Sequence, residues 1–197
     1  MLLLLEIYQK KYMFKEILYK GAKSVKLKNK KLAMLIGPGY EDLEFWVVYM
    51  RMIEEGAEVD VIGVEKDVEY ASKHGCLKRK ADYTAAEVLD KDYDGVLVPG
   101  GWTPDKIRRD EDIVELVRKN YEEGKIIGLI CHAGLVGISA GIIDGKATGS
   151  LGIKDDVENA GGTWVDEAAF RDGNIVWGRV VKDIPSYCRE LVNALAE

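Results

Sequence analysis

Four short apolar runs limit what this chain can fold into: "KKLAMLIG" at 30–37, "AEVDVIGV" at 57–64, "YDGVLVPGG" at 93–101 and "KIIGLI" at 125–130. Strands that are apolar without alternation are buried on both faces, as in parallel sheets covered by helices. Between the runs the period changes to that of a helix. Leu43, Trp46, Val47, Met50 and Ile53 recur at spacings of three and four and predict an amphipathic helix ending at Gly56. "TPDKIRRDEDIVELVRKNYEEG" predicts one helix with Thr103 as N-cap and Pro104 at its first position, and "HAGLVGISAGII" predicts another. Strands alternating with helices give an α/β fold, a doubly wound and mostly parallel sheet sandwiched by helices.

The remaining segments fit around that frame. The polar "ASKHGCLKRKADY" reads as an extended or hairpin excursion, followed by a short helix at Ala85–Leu89. Beyond Gly145 come a short strand, a helix over Asp155–Ala160, a hairpin turning at Asp172–Gly173 and a last helix over Ile184–Ala196.

With 197 residues, 47% hydrophobic and 31% charged, the chain is a globular protein with one principal domain. A net charge of −6 gives no general attraction to nucleic acid. Cys76, Cys131 and Cys188 show no CxxC or Cys/His ligand spacing, which argues against a disulfide scaffold and a zinc site and favours a reducing, cytoplasmic compartment. One Gln and four Pro among many Lys and Glu lean towards a thermophilic source.

Residues 1–31 hold nine Lys and two Glu, about +7, so the rest carries about −13. This asymmetry divides the chain into a basic extension at 1–30 and a domain at 31–197. The extension does not read as a signal peptide, because its Leu run precedes the positive charge and Glu6 interrupts it. It is too charged to span a membrane. Leu3, Ile7, Phe14 and Leu18 share one helical face, expected to pack on its own domain or a sister subunit rather than on a membrane.

In open α/β sheets, ligands sit beyond the carboxyl ends of the strands. Three such ends carry "GPGYE", "PGGWTPD" and "CHAG", so three distant loops are expected to meet in one crevice. Cys131 opens the helix after the fourth strand, where a helix N-terminus favours thiolate. A free cysteine is also among the most buried residue types, so position alone leaves both readings open. His132 offers a general base or an ion-pair partner at a sharp turn. Gly100 and Gly101 present amides to a developing oxyanion or simply form a turn. Glu41, in the first turn of its helix, is placed to exchange a proton with Cys131 or to offset the helix dipole.

"GISAG" spells G-x-S-x-G, but Ser139 falls inside a helix instead of on a strand-to-helix turn, and no histidine follows it. There is no P-loop and no G-x-G-x-x-G after a strand, so nucleotide binding has no support.

Taken together, Glu41, Gly100-Gly101 and Cys131-His132, with "SKHG", "VLVPGGWTPD", "GLICHAG", "GIKDDVENAGGTWVD" and "DGNIVWGR", resemble the DJ-1/PfpI superfamily and its PfpI-like intracellular protease branch. The resemblance covers about Lys31 to the C-terminus. It implies a flavodoxin-like, class I glutamine amidotransferase-like fold with the nucleophile Cys131 on a strained strand-to-helix elbow. It further implies that Glu41 hydrogen-bonds the thiol, that Asp105 of a neighbouring subunit orients His132, and that the glycine pair and the His132 amide form the oxyanion hole.

The resemblance thus implies a homo-oligomer without cofactor or metal, acting on a small carbonyl or peptide substrate. Three departures stand out: Asp105 replaces a longer glutamate, Ala133 a glycine, and Ser150-Leu151 a Tyr-Pro pair. Glyoxalase or deglycase chemistry on small dicarbonyls and their adducts is the preferred expectation, with peptidase activity beside it. The alternative is a redox sensor or chaperone that works through oxidation of Cys131. An amidotransferase would need a late histidine that the chain lacks.

Overall fold

The computed structural model describes residues 25–197, so the amphipathic pattern read at Leu3, Ile7, Phe14 and Leu18 lies outside the described residues. Leu27 is already fully buried, and its amide donates to Glu55 O at 2.8 Å.

The chain runs from β1 (Lys31–Leu35) through α1 (Asp42–Glu54) to β2 (Glu58–Gly63). A small hairpin of β3 (Tyr70–Ala71) and β4 (Lys78–Arg79) precedes β5 (Tyr83–Thr84) and β6 (Gly95–Val98). Next come α2 (Thr103–Ile107), α3 (Glu111–Glu122), β7 (Ile126–Ile130), α4 (Gly134–Ala140), β8 (Lys146–Ala147), α5 (Lys154–Asn159) and β9 (Thr163–Trp164). The hairpin of β10 (Ala169–Asp172) and β11 (Ile175–Gly178) leads to α6 (Ile184–Leu195). No helix among the described residues is long and apolar enough to cross a membrane.

Seven strands form the central sheet in the order β10-β11-β7-β6-β1-β2-β5, parallel throughout except for β10. The expected α/β architecture is thus present. Alternate side chains of the apolar runs feed two cores. Ala33, Leu35, Val96, Val98, Ile127 and Leu129 pack with Ile113, Leu116 and Val117 of α3 and Val136 of α4. Leu32, Met34, Leu97 and Ile130 pack on the opposite face with Phe45, Val48 and Met52 of α1 and with Tyr187 and Leu191 of α6.

Two helix assignments need correction. On α1 the face turned to the sheet is Glu44, Phe45, Val48 and Met52. Leu43, Val47 and Met50, read as its apolar face, are exposed at 50%, 43% and 61%. The helix has two apolar stripes, and the buried one includes a carboxylate, so a search for hydrophobic periodicity selects the wrong stripe.

The segment from Thr103 to Glu122 is two helices, because Asp110 adopts an extended conformation and its Oδ1 accepts from the Ile113 amide at 2.9 Å, starting α3 anew. Thr103 is no N-cap. Its hydroxyl donates instead to Gly37 O at 2.7 Å, tying α2 to the loop after β1.

From β1 the chain passes to β2 on one side, while β6 lies on the other, so the connections diverge at the carboxyl ends of β1 and β6. That is where an open α/β sheet leaves a crevice. Two of the three expected loops are stitched there: Trp102 N donates to Gly39 O at 2.8 Å and Glu41 N to Gly100 O at 3.3 Å. The third, at the end of β7, brings Cys131.

Candidate active site

Ile130 ends β7 in extended conformation, and Cys131 then takes φ +61° before a 3₁₀ turn at Cys131–Ala133 leads into α4. A side chain with a β-carbon in this left-handed region costs about 1–2 kcal/mol. The strain aims the sulfur across the crevice, and the Ser150 amide anchors the bend by donating to Cys131 O at 3.0 Å. This is the strained elbow that the resemblance implies.

The carboxyl beside the thiol belongs to Glu44. Fully buried on the inner face of α1, Glu44 accepts the Gly100 amide on Oε2 at 2.8 Å, while its Oε1 has no hydrogen-bond partner among the described residues. Burial first, then the neighbouring charge of Glu41, push its carboxyl up to about 7, although interactions with the Cys131 thiol and the Gly100 amide pull it down.

Glu41 does not hold the expected place. Its Oε2 accepts the amides of Leu43 and Glu44, both at 2.8 Å, and it is the N-cap of α1. A cap must point back along its own helix, whereas Glu44, three residues on, points under it to the sheet.

Gly100 permits this arrangement. A β-carbon there would run into the Glu44 carboxylate and stand 2.7 Å from Cys131 Cβ. Its amide is committed to Glu44, so it does not serve as the expected oxyanion donor. The donors that face the sulfur are the amides of Gly101, at φ +74°, and His132.

Burial and the charge of Glu44 push the Cys131 thiol up to about 12, against the pull of those two amides. The lowered value expected from a helix N-terminus is therefore overturned, because desolvation and an adjacent carboxylate outweigh a short helix. The two groups titrate as a pair. With Glu44 ionised, Cys131 remains a thiol. With the proton on Glu44 that repulsion disappears, and burial is opposed by the pull of the two amides.

His132 Nδ1 lies 3.3 Å from Cys131 Sγ, so the structure brings the two together. Burial, and then the charge of Lys73, hold the imidazole below its usual value and keep it neutral at pH 7. Asp105 is exposed on α2 and pairs with Arg109 at 2.6 Å, out of contact with His132 of the same chain. No carboxylate hydrogen-bonds to His132 among the described residues.

Sequence reasoning missed Glu44, Lys73 and Trp102. Lys73 Nζ sits 5.2 Å from the centroid of the Trp102 ring, which is itself 6.4 Å from the His132 ring. Glu44 had one signal: it stands at i−4 from Val48 and i−8 from Met52, in line with buried residues.

Elsewhere, Ser139 accepts from Arg108 Nε at 2.8 Å inside α4, away from any elbow. Cys76 is exposed and Cys188 is buried. The ligand atoms of Glu41, Asp42 and His74 lie within 4.8 Å of one another, a spacing that suits a metal ion. Their geometry is already explained: Glu41 caps a helix, while His74 donates its amide to Asp42 at 3.3 Å and places Nδ1 at 2.8 Å from the same oxygen.

A family model described as the DJ-1/PfpI family matches residues 30–194. The chain is 40% identical over 166 residues to the protein named Deglycase PfpI of Pyrococcus furiosus, covering 84% of this chain and 99% of that one. It is 39% identical, with the same coverage, to Deglycase PH1704 of Pyrococcus horikoshii. Among solved structures, a two-domain protein of Anabaena variabilis with DJ-1/ThiJ/PfpI-like and ferritin-like domains superposes with a TM-score of 0.82 at 36% identity. The match covers 85% of this chain and 48% of that longer one.

Proposed function

Because the chain belongs to the DJ-1/PfpI family, we propose that it is a cofactor-independent enzyme using Cys131 as a covalent nucleophile on small dicarbonyls or their protein adducts, glyoxalase or deglycase in type. The names of its Pyrococcus relatives support deglycase-type activity. The observation that carries the reading is the Cys131–Glu44 pair, in which a buried carboxyl with one unpartnered oxygen faces the nucleophile.

With methylglyoxal, the thiolate sulfur forms a bond to the aldehyde carbon and the carbonyl π pair moves to oxygen, towards the amides of Gly101 and His132. That oxygen takes the proton from Glu44, giving a hemithioacetal and a carboxylate. The Glu44 carboxylate then removes the proton on the former aldehyde carbon and returns it to the adjacent carbon, while the hydroxyl proton passes from the former aldehyde oxygen to the former ketone oxygen, converting the hemithioacetal into a thioester of lactate. Water, deprotonated by the neutral His132, attacks the thioester carbon. The C–S bond breaks, lactate leaves, and the proton held by His132 restores the starting pair.

In solution, Asp105 of a neighbouring copy is proposed to orient His132, which requires an oligomer; a monomeric mass with full activity contradicts this. Free cysteines at three positions suit a reducing compartment such as the cytoplasm.

The test is lactate formation from methylglyoxal, with Cys131→Ala and His132→Ala beside the wild type. Lactate that is lost in the cysteine variant and strongly reduced in the histidine variant is expected. Well-folded wild type that forms none overturns the reading.

A further inference from the structure

Lys73 stands out as a charge with no assigned use. The turn that carries it is pinned on both sides. Lys73 N donates to Tyr40 O at 2.7 Å, Gly75 N to Ser72 O at 2.9 Å, and His74 is tied twice to Asp42 at the start of α1. Such anchoring fixes where the side chain leaves the backbone. The ammonium then lies over the indole of Trp102, a position that a cation–π contact favours. No carboxylate lies within 4.0 Å of it among the described residues.

The surroundings are those of the site mouth. Trp102 is 57% exposed, and the ring of His132 lies 6.4 Å from its ring, with Nε2 beside Gly152. Lys73 brings a positive charge to this edge of the site, and the carboxylate of Asp42 next to it is already paired with His74. The field of Lys73 reaches the functional groups, acting on both His132 and Glu44.

We propose that Lys73 is a specificity-determining residue that draws to Cys131 carbonyl compounds bearing a carboxylate close to the reacting carbon, in preference to neutral ones. The assignment rests on the covalent role given to Cys131 above and adds to it a substrate class. A cation positioned over a low-polarity ring attracts an anion more strongly than one in open water, and exposure to salt weakens the effect.

The test reads the field at the thiol without requiring turnover. Alkylation of Cys131 by anionic iodoacetate and by neutral iodoacetamide is followed by peptide mass spectrometry in the full-length wild type, Lys73→Met and Lys73→Arg. The ratio of the two rates cancels any change in thiolate fraction. It is expected to fall about threefold to tenfold in Lys73→Met, to be retained in Lys73→Arg, and to shrink in the wild type as salt is raised. In parallel, glyoxylate should protect Cys131 from iodoacetamide at lower concentration in the wild type than in Lys73→Met, while neutral propanal protects both alike.

An unchanged ratio in Lys73→Met overturns the proposal. So does an equal fall in Lys73→Arg, or an equal slowing of both reagents, either of which marks a merely structural residue. A wild type that forms no lactate yet keeps the rate ratio would sink the glyoxalase reading and leave the anion preference standing.

Discussion

At the junction of β1 with α1 the free amides of the helix start are closed by a side chain: Glu41 accepts two of them and its backbone is relaxed, at φ −70° and ψ 128°. At the junction of β7 with α4 no side chain caps the turn, and Cys131 is held at φ +61°. The first junction is built for stability. The second leaves the His132 amide facing a sulfur, at a cost in backbone strain. Two glutamates three residues apart divide in the same way, Glu41 serving the helix and Glu44 serving the thiol.

The largest stability effect expected from this contrast is at Glu44. Its folded-state value is raised from 4.5 to about 7, so the stability it contributes is present below about pH 4.5 and is lost as pH rises through 7. Glu44→Gln should therefore gain on the wild type between those pH values, by roughly 3 kcal/mol above pH 7. Denaturant titrations at pH 4 and pH 8 measure it, and a difference independent of pH would break the comparison. Glu41→Ala should cost about 1 kcal/mol through the lost cap. Because the charge of Glu41 helps to raise Glu44, the same change should also shift Glu44 downward. Smallest is the strain itself. Cys131→Gly should be more stable than Cys131→Ala by up to about 1 kcal/mol, since only glycine relaxes at positive φ. Equal melting of the two variants would mean that the elbow stores little strain.

What could be read in the sequence follows the same division. The apolar runs, the crevice and the Cys131-His132 seam were legible because strand burial and element order leave periodic traces. Glu44 was not, because a buried charge violates the rule by which helix faces are recognised. Its neighbours Leu43 and Val47, which obey that rule, point to solvent. The break at Asp110 was written in the chain as an aspartate three residues before Ile113, but the longer helical pattern on either side concealed it. The amide of Gly100 was misassigned for a third reason: a glycine pair shows that the main chain is approached closely, but not by what.

The comparison of the two glutamates can be tested directly in turnover. Lactate formation from methylglyoxal should fall by about 10²–10⁴-fold in Glu44→Gln, which can no longer carry the proton between carbons, and stay within a few fold of wild type in Glu41→Ala at equal folded fraction. If Glu41→Ala is the variant that loses activity while Glu44→Gln keeps it, the assignment of Glu44 as the partner of Cys131 is wrong.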